Sequence, residues 1–306
     1  MKIAIIGTGA VGGYFGAKML NAGFEVSFLA RGKQLTSILE NGIRVRSILG
    51  DFQTGPVNAT NQIERLGVSD LIILAVKAWQ IKEVRQDLLK IIHENSIILP
   101  LQNGVLAAEE LAYSIDDKDI VGGVCRIISK IEAPGVINHF GATPSIVFGE
   151  LSSERSNRLT EIKNVFTKSE IDSRLSENVR IDIWKKFGFI CVGGLMAIAR
   201  ANLSEIRELP ETRALMEALI TEVTVLASHM RVDMGPDFRE RTLSFIDSLP
   251  AETTFSMARD IWEDRASELE YLNGAVVSLA EKNNVKVTIN SFIYSCLKIS
   301  ENRARS

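Results

Sequence analysis

A glycine-rich turn at the N-terminus constrains the fold of this chain more than any other feature. The apolar run Lys2–Ile6 leads directly into a turn with Gly7, Gly9 and Gly12, and Val11–Ala22 has the pattern of a helix. In such a motif the first glycine permits a tight turn, the second lets the backbone approach a pyrophosphate, and the third lets the helix pack on the strand. The helix N-terminus then offers unpaired N–H groups to the phosphates.

A second strand-like run, Glu25–Leu29, completes a dinucleotide-binding β-α-β unit. We therefore assign the cofactor phosphates to the turn residues Gly7, Thr8, Gly9, Ala10, Val11 and Gly12. Sites that select NAD usually place an acidic residue about 20 residues beyond the motif, on the ribose 2′-hydroxyl. Here Arg31 follows the second strand and no acid does, which favours NADP(H), because a guanidinium binds a 2′-phosphate that an acid would repel. The alternative is that Arg31 is a solvated loop residue and cofactor choice is loose.

The first half of the chain alternates strand-like and helical segments, as in a doubly wound sheet. Leu71–Val76 and Ser96–Pro100 have the pattern of buried strands, and Ile81–Ile92 that of a helix between them. Further on, three short runs predict antiparallel hairpins at the far edge of this sheet: Val124–Ile131, Gly135–Phe140 and Ser145–Phe148.

Beyond Glu177 the pattern becomes helical. Three long amphipathic helices are predicted: Thr212–Met230, Phe255–Ala280 and Ser291–Arg303. The fold class is therefore α/β, with an N-terminal Rossmann-type dinucleotide-binding domain over residues 1–177 and an all-α C-terminal domain over 178–306. In such architectures the substrate usually lies between the domains, beyond the carboxyl ends of the strands.

Composition excludes several classes of partner. The chain has 306 residues and a formal net charge of −3 without a basic block, so we expect no nucleic-acid partner. No apolar run reaches the roughly 18 residues of a membrane helix. The three cysteines and three histidines are scattered, which predicts no metal site and reduced thiols in a cytoplasmic protein. The apolar helices of the second half leave a homodimer open.

Polar residues that follow buried strands are candidates for chemistry. Lys77 ends one strand and would face the cofactor crevice, although a capping or solvated lysine fits equally. Asn103 precedes Gly104 and is either a turn residue or an amide partner of the nicotinamide. Lys185 and Lys186 point about 100° apart on a helix, so one would face solvent while the other reaches the substrate. A lysine ammonium donates a proton to a developing alkoxide, although a surface lysine pair remains the alternative.

Two further candidates lie in the predicted helix Phe255–Ala280. Glu268 stands twelve residues beyond Ser256, so on an uninterrupted helix the two side chains diverge, and a break is needed for both to face one ligand. The alternative is a solvated charged helix. In that helix Asp264 and Glu268 would repel each other at i, i+4 spacing, which favours a functional reason for Glu268.

Together these segments resemble the ketopantoate reductase (2-dehydropantoate 2-reductase) family over essentially the whole chain. The points of likeness are the glycine turn, Arg31, Lys77–Gln80, Asn103-Gly104, Trp184–Lys186, Ser256, Glu268 and Asn273-Gly274. The resemblance implies NADPH-dependent reduction of a 2-oxo acid to a 2-hydroxy acid, with ketopantoate to pantoate in pantothenate biosynthesis as the default. It also implies that Arg31 binds the 2′-phosphate and that Lys77 contacts the cofactor.

The same resemblance implies roles at the substrate. Lys186 would be the general acid, and Glu268 would hydrogen-bond the substrate and orient the lysine. Asn103 would lie beside the nicotinamide and help to hold Lys186, and Ser256 would bind the substrate carboxylate.

This chain departs from the family at positions that choose the substrate. Family asparagines are replaced by Ile190 and Gly194, and a third falls near Leu203, where the adjacent Asn202 offers a substitute. Lost polar partners predict a change of substrate, so a more apolar 2-oxo acid is an open alternative. Two other readings remain: a related dehydrogenase for a β-hydroxy acid or polyol phosphate, and an NADP-binding redox sensor without catalysis.

Overall fold

The structure, a computed structural model, describes residues 1–154 and 156–306. The chain divides into two compact units. The first comprises Met1–Gln102 and Ala107–Val179, and the second comprises Asn103–Leu106 and Arg180–Ser306. The tetrapeptide Asn103–Leu106 therefore leaves the surrounding chain and joins the helical unit.

The first unit is built on a parallel sheet. Its elements are β1 (Lys2–Ile6), α1 (Ala10–Asn21), β2 (Glu25–Leu29), α2 (Gly32–Asn41), β3 (Arg44–Ser47), β4 (Phe52–Gln53), β5 (Asn58–Thr60), β6 (Leu71–Leu74), α3 (Ile81–Leu88), β7 (Ile97–Pro100), α4 (Ala107–Ala112), β8 (Val121–Arg126), β9 (Ser129–Ala133), β10 (Val136–His139), β11 (Ser145–Glu150), α5 (Asn157–Lys168) and β12 (Asp172–Leu175). Five strands pair in parallel in the order β5-β2-β1-β6-β7. All residues of β6 and β7 are buried, as expected for a sheet covered on both faces. The Rossmann-type prediction is confirmed.

The predicted antiparallel pairs are present, β9 with β10 and β8 with β11. A parallel bridge between Ile98 and Ile120 also puts β8 beside β7, the last strand of the main sheet. Only the assignment of these strands to the main sheet itself is wrong. The short strands form two further sheets, ordered β4-β3-β10-β9 and β12-β11-β8. Burial alternates along β10, so this strand has one buried face, whereas a strand in the main sheet needs two. On that buried face Ile137 packs directly against Gly13 of α1, where a Cβ would lie 2.3 Å from Ile137 Cδ1.

The second unit is helical, and its described residues form no strand. Its helices are α6 (Val179–Ile190), α7 (Val192–Ala199), α8 (Leu203–Glu208), α9 (Pro210–His229), α10 (Phe238–Ser248), α11 (Ser256–Trp262), α12 (Asn273–Lys282) and α13 (Thr288–Arg305). They enclose a single apolar core, in which Phe187, Val223 and Ile293 are fully buried. In the part of the chain that the structure describes, no helix is both long and apolar enough to cross a membrane.

The predicted helix Phe255–Ala280 is in fact two helices, α11 and α12, joined by a turn. Asp264 lies in the left-handed region, with φ +52°, which ends the helical path after Trp262. Arg265 stabilises this end by donating from its backbone N to the carbonyl oxygen of Asp260 and from its guanidinium to the Asp260 carboxylate. The expected i, i+4 repulsion between Asp264 and Glu268 therefore does not arise, because neither residue is helical.

Candidate functional site

The three glycines of the N-terminal turn occupy three different environments. Gly7 has φ +102°, and a Cβ there would lie 2.7 Å from the backbone nitrogen of Val76. At Gly12 a Cβ would lie 2.2 Å from the carbonyl oxygen of Gly7, so the helix could not approach the strand. At Gly9, in contrast, nothing lies within 4 Å of an added Cβ. The open space beside Gly9 fits the close approach of a dinucleotide pyrophosphate.

Thr8 fixes the turn to the end of β2. Its backbone nitrogen and its hydroxyl both donate to the carbonyl oxygen of Leu29, at 3.0 and 2.9 Å. The Nε2 atom of Gln34 donates to the Thr8 carbonyl oxygen at 3.1 Å. The Thr8 side chain is buried in this network, and its backbone N–H and carbonyl groups are engaged in it as well, so its predicted part in cofactor binding stays a prediction. The role of Gln34 was missed in the sequence, where only its place in the first turn of α2 marks it.

Arg31 and Lys77 are exposed just beyond β2 and β6, the two strands that flank β1 in the parallel sheet. Arg31 is the N-cap residue of α2 and follows β2 almost directly. Lys77 follows β6, and its Nζ atom lies 5.8 Å from the centroid of the Trp79 ring. Gln80 accepts a hydrogen bond from the Lys77 backbone at 3.1 Å and closes the turn. Both cations are thus held at the carboxyl side of parallel strands, where dinucleotides bind in doubly wound sheets.

Gln102 is a further polar residue at this edge of the sheet. Its Nε2 atom donates to the carbonyl oxygens of Leu74 and Val76, at 3.0 and 3.1 Å. Its position directly before Asn103, just past a buried strand, was the available sequence signal. Gln102 fixes the end of β6 against which Gly7 packs.

Asn103 and Glu268 are brought together within the second unit. Gly104 has φ +93°, and a Cβ there would lie 2.6 Å from the carbonyl oxygen of Tyr271. This close approach packs the tetrapeptide on the turn that Glu268 begins. The Nδ2 atom of Asn103 then donates to Glu268 Oε2 at 2.9 Å. Glu268 is only 5% exposed, so Asn103 does more than form a turn: it satisfies a buried carboxylate.

Lys186 lies on α6 beside the aromatic face of that helix. Trp184 and Phe187 are buried and meet edge to face, with ring centroids 5.5 Å apart. They anchor the helix in the core of the second unit. Lys185 and Lys186 are both half-buried, and the expectation that one of them faces solvent stays a prediction.

Ser256 is the exposed first residue of α11, and the turn after Trp262 separates it from Glu268. The two residues therefore lie on different elements, and the divergence expected on one continuous helix does not apply.

The positions that depart from the family are largely closed to a ligand. A Cβ at Gly194 would lie 2.3 Å from Asn273 Oδ1, and Leu203 is fully buried in the core. The oxygen of Asn202 is occupied in capping α8, where it accepts from the backbone of Glu205 at 3.1 Å. Ile190, half-buried at the end of α6, is the one departure that is partly accessible.

The described residues contain no group of three or more His, Cys, Asp or Glu side chains arranged to hold a metal ion. All three cysteines are described and none forms a disulfide bond, and burial raises the pKa of the Cys191 thiol well above its usual range. A raised pKa disfavours the reactive thiolate at Cys191.

Comparison with known proteins places the whole chain in one family. The model of ketopantoate reductase PanE/ApbA matches residues 3–153, and the model of its C-terminal domain matches residues 178–301. The chain belongs to the ketopantoate reductase family. The family consists of oxidoreductases that act on a CH–OH group with a nicotinamide dinucleotide, and the chain is an enzyme of this kind.

Individual relatives match over nearly their full lengths. The 2-dehydropantoate 2-reductase of Nostoc sp. is 31% identical over 311 residues, covering 100% of this chain and 97% of the relative. The uncharacterized oxidoreductase YkpB of Bacillus subtilis is 28% identical, covering 98% and 99%.

Solved structures agree on the fold. A 2-dehydropantoate 2-reductase from Geobacter metallireducens has a TM-score of 0.91 at 26% identity, covering 98% of this chain and 100% of that chain. D-mandelate dehydrogenase, solved with NADH and anilino(oxo)acetate, has a TM-score of 0.90 at 23% identity and covers both chains completely. At that level of identity the second likeness concerns the fold alone.

Proposed function

We propose that this enzyme uses NADPH to reduce a 2-oxo acid to a 2-hydroxy acid. The observation that carries the proposal is the hydrogen bond between Asn103 and Glu268. It joins residues 165 positions apart and holds a carboxylate in a nearly buried position. A buried carboxylate with an amide donor is suited to orient a polar substrate and a neighbouring ammonium group. A protein that only bound the nucleotide would need no such pair.

The cofactor site is proposed at the residues Gly7, Thr8, Gly9, Ala10, Val11 and Gly12. The open space at Gly9 and the N-terminus of α1 fit a pyrophosphate. The exposed guanidinium of Arg31, with no acid beside it in the chain, supports NADPH over NADH, and Lys77 adds a second cation at the same edge. When bound, the nicotinamide supplies the hydride that attacks the ketone carbon.

The protein contributes a proton to the reaction and orients the substrate relative to the group that donates this proton. Lys186 donates a proton to the oxygen of the former ketone and stabilises its developing negative charge. Glu268 hydrogen-bonds the substrate and, with Asn103, keeps the ammonium group of Lys186 directed at the reacting oxygen. The exposed hydroxyl of Ser256 binds the substrate carboxylate.

Ketopantoate is the default substrate, and the product would then enter pantothenate biosynthesis. One observation favours a second candidate, a more apolar 2-oxo acid. Gly194 and Leu203 offer no polar group to a ligand, and the accessible departure, Ile190, is aliphatic. Without polar partners at these three positions, the site has less means to select for a substrate hydroxyl. We further propose domains 1–177 and 178–306, a cytoplasmic location and a homodimer.

The test is NADPH oxidation with ketopantoate beside branched and aromatic 2-oxo acids. Lys186→Ala is expected to lower kcat by at least 100-fold, and the neighbouring half-buried Lys185→Ala serves as a matched control that keeps most activity. Undiminished turnover by Lys186→Ala would refute the proton donor. Tight NADPH binding without turnover of any 2-oxo acid would instead support a redox sensor. A preference for the branched or aromatic acids would establish the second candidate.

A further inference from the structure

A chain of hydrogen-bonded polar side chains runs from a half-buried carboxylate into the core of the second unit. Glu222 of α9 accepts hydrogen bonds from the backbone nitrogens of Ile289 and Asn290, at 2.8 and 3.0 Å. It also accepts from Asn290 Nδ2 at 2.8 Å. A carboxylate accepts and does not donate, so the amide of Asn290 must turn its nitrogen towards Glu222 and its oxygen away.

The next member of this chain is Asn273, whose Nδ2 atom has two acceptors. Asn290 Oδ1 accepts from Asn273 Nδ2 at 3.0 Å, and the same nitrogen donates to the carbonyl oxygen of Cys191 at 3.2 Å. Both asparagines are completely buried. The oxygen of Asn273 has no hydrogen-bond partner and faces Gly194, where a Cβ would approach it to 2.3 Å. A buried amide with one unsatisfied oxygen is costly, which calls for an explanation beyond packing.

The bond from Asn273 to Cys191 joins two parts of the proposed catalytic apparatus. Cys191 separates α6 from α7, and its carbonyl oxygen also accepts from the backbone of Gly194 at 3.1 Å. Lys186 lies about one and a half helical turns before Cys191 on α6. Glu268 begins the turn that ends at Asn273. A side-chain donor inserted at such a helix junction sets the bend between the helices.

We propose that Asn273 is a positioning residue, which fixes the helix of Lys186 relative to the turn of Glu268. The inference rests on the proposed function, because that proposal assigns the catalytic roles to Lys186 and Glu268. Asn273 itself is assigned no contact with the substrate. A displacement of about 1 Å between groups that act together costs on the order of 100-fold in rate. Loss of Asn273 should therefore lower kcat more than it weakens binding of either ligand.

The test compares Asn273→Ala with Asn290→Ala. Both variants lose a buried amide of the same network, but only the first loses the bond to Cys191. We expect both to lower Tm by a few degrees. We expect kcat to fall at least tenfold further in Asn273→Ala, with KM for the 2-oxo acid and Kd for NADPH within threefold of wild type. Hydrogen exchange of the amides of residues 187–194 should accelerate in Asn273→Ala alone.

A second pair of variants applies if Asn273→Ala does not fold. Gly194→Ala displaces the Asn273 amide without removing a donor, and it should lower kcat at least tenfold. Gly193→Ala is its control, because a Cβ there meets only side-chain atoms of Phe255, at 3.3 Å, and of Met257, at 3.6 Å, and no atom of Asn273. The proposal is overturned if the test variant and its control have equal kcat in either pair. It is also overturned if hydrogen exchange of residues 187–194 in Asn273→Ala is the same as in wild type. Failure of the proposed function is distinguishable, because it appears as full activity of Lys186→Ala.

Discussion

The backbone of Gly104 passes so close to the carbonyl oxygen of Tyr271 that no side chain fits between them, since a Cβ would come within 2.6 Å. This approach places Asn103 beside Glu268. A larger residue at position 104 must push this backbone away from Tyr271, and with it Asn103 away from Glu268.

Gly104→Ala is therefore expected to lower kcat/KM at least tenfold. Gly23→Ala is a matched control: Gly23 has a similar φ, +87°, but nothing lies within 4 Å of an added Cβ. Both variants should lose about 1 kcal/mol of unfolding free energy from the left-handed conformation. Steady-state kinetics and denaturant unfolding separate the two effects. An equal loss of activity in both variants would contradict the positional role of Gly104.

Substitutions at Gly9 and Gly12 should have opposite consequences. Gly9→Ala leaves the unfolding free energy within about 0.5 kcal/mol of wild type, because the space is open and φ is −81°. It should raise Kd for NADPH at least tenfold, since the methyl group occupies the path of the pyrophosphate. Gly12→Ala should destabilise the fold itself, because its Cβ meets the Gly7 carbonyl oxygen. Fluorescence titration measures Kd for NADPH, and thermal melts measure the stability of each variant. Unchanged NADPH affinity in Gly9→Ala would contradict the assignment of the pyrophosphate to this turn.

Arg31→Ala should change the choice of cofactor. A charge-assisted hydrogen bond contributes about 1.5–3 kcal/mol, so Kd for NADPH is expected to rise by roughly 10- to 100-fold. Kd for NADH should stay the same, because NADH carries no 2′-phosphate. Lys33→Ala, which removes an exposed charge two residues further on, controls for general electrostatics. A parallel loss of NADPH and NADH affinity would rule out a specific 2′-phosphate contact.

The ion pair of Glu150 and Arg158 should make the first unit sensitive to acid. Burial alone would raise the pKa of Glu150, but hydrogen bonds from Arg158 and Ser156 hold that pKa below its ordinary value of 4.5. Because the folded-state pKa is lowered, the stabilisation is complete above the unfolded-state pKa and is lost as the pH falls through the folded one.

Glu150→Gln should therefore cost about 2 kcal/mol of unfolding free energy at pH 7, and the difference from wild type should shrink once the pH falls below 4.5. Urea unfolding at several pH values measures this. Glu132→Gln, which breaks an exposed pair with Arg46, should cost less than about 1 kcal/mol. If the difference in unfolding free energy between wild type and Glu150→Gln stayed the same down to pH 3, protonation of Glu150 would not be the cause of the acid sensitivity.

The parallel sheet was predictable because its strands are continuous apolar runs bounded by turns, as in Leu71–Leu74 and Ile97–Pro100. Strands such as Arg44–Ser47 were not predicted, because they are short, polar and stabilised by partners distant in the chain. The end of α11 was missed for a different reason. Its apolar periodicity continues past Trp262, but residues 263–268 are not helical and Asp264 has a left-handed backbone.

The candidate residues were predictable as a set, but their grouping was not. The resemblance named Asn103 and Glu268 separately, and nothing in residue spacing places an asparagine after a strand beside an acid 165 residues later. Asn273 was noted only as part of a motif, because an asparagine that bonds a carbonyl oxygen inside a helical core has no local signal.

The tetrapeptide Asn103–Leu106 has a consequence for any exchange of halves between members of the family. A chimera joined at Val179 would separate Glu268 from its own Asn103, and the helical core from its own Val105 and Leu106. The unit that contains Glu268 is thus formed by two separate segments of the sequence. Grafting the substrate preference of one relative onto another therefore requires residues 103–106 to travel with residues 180–306.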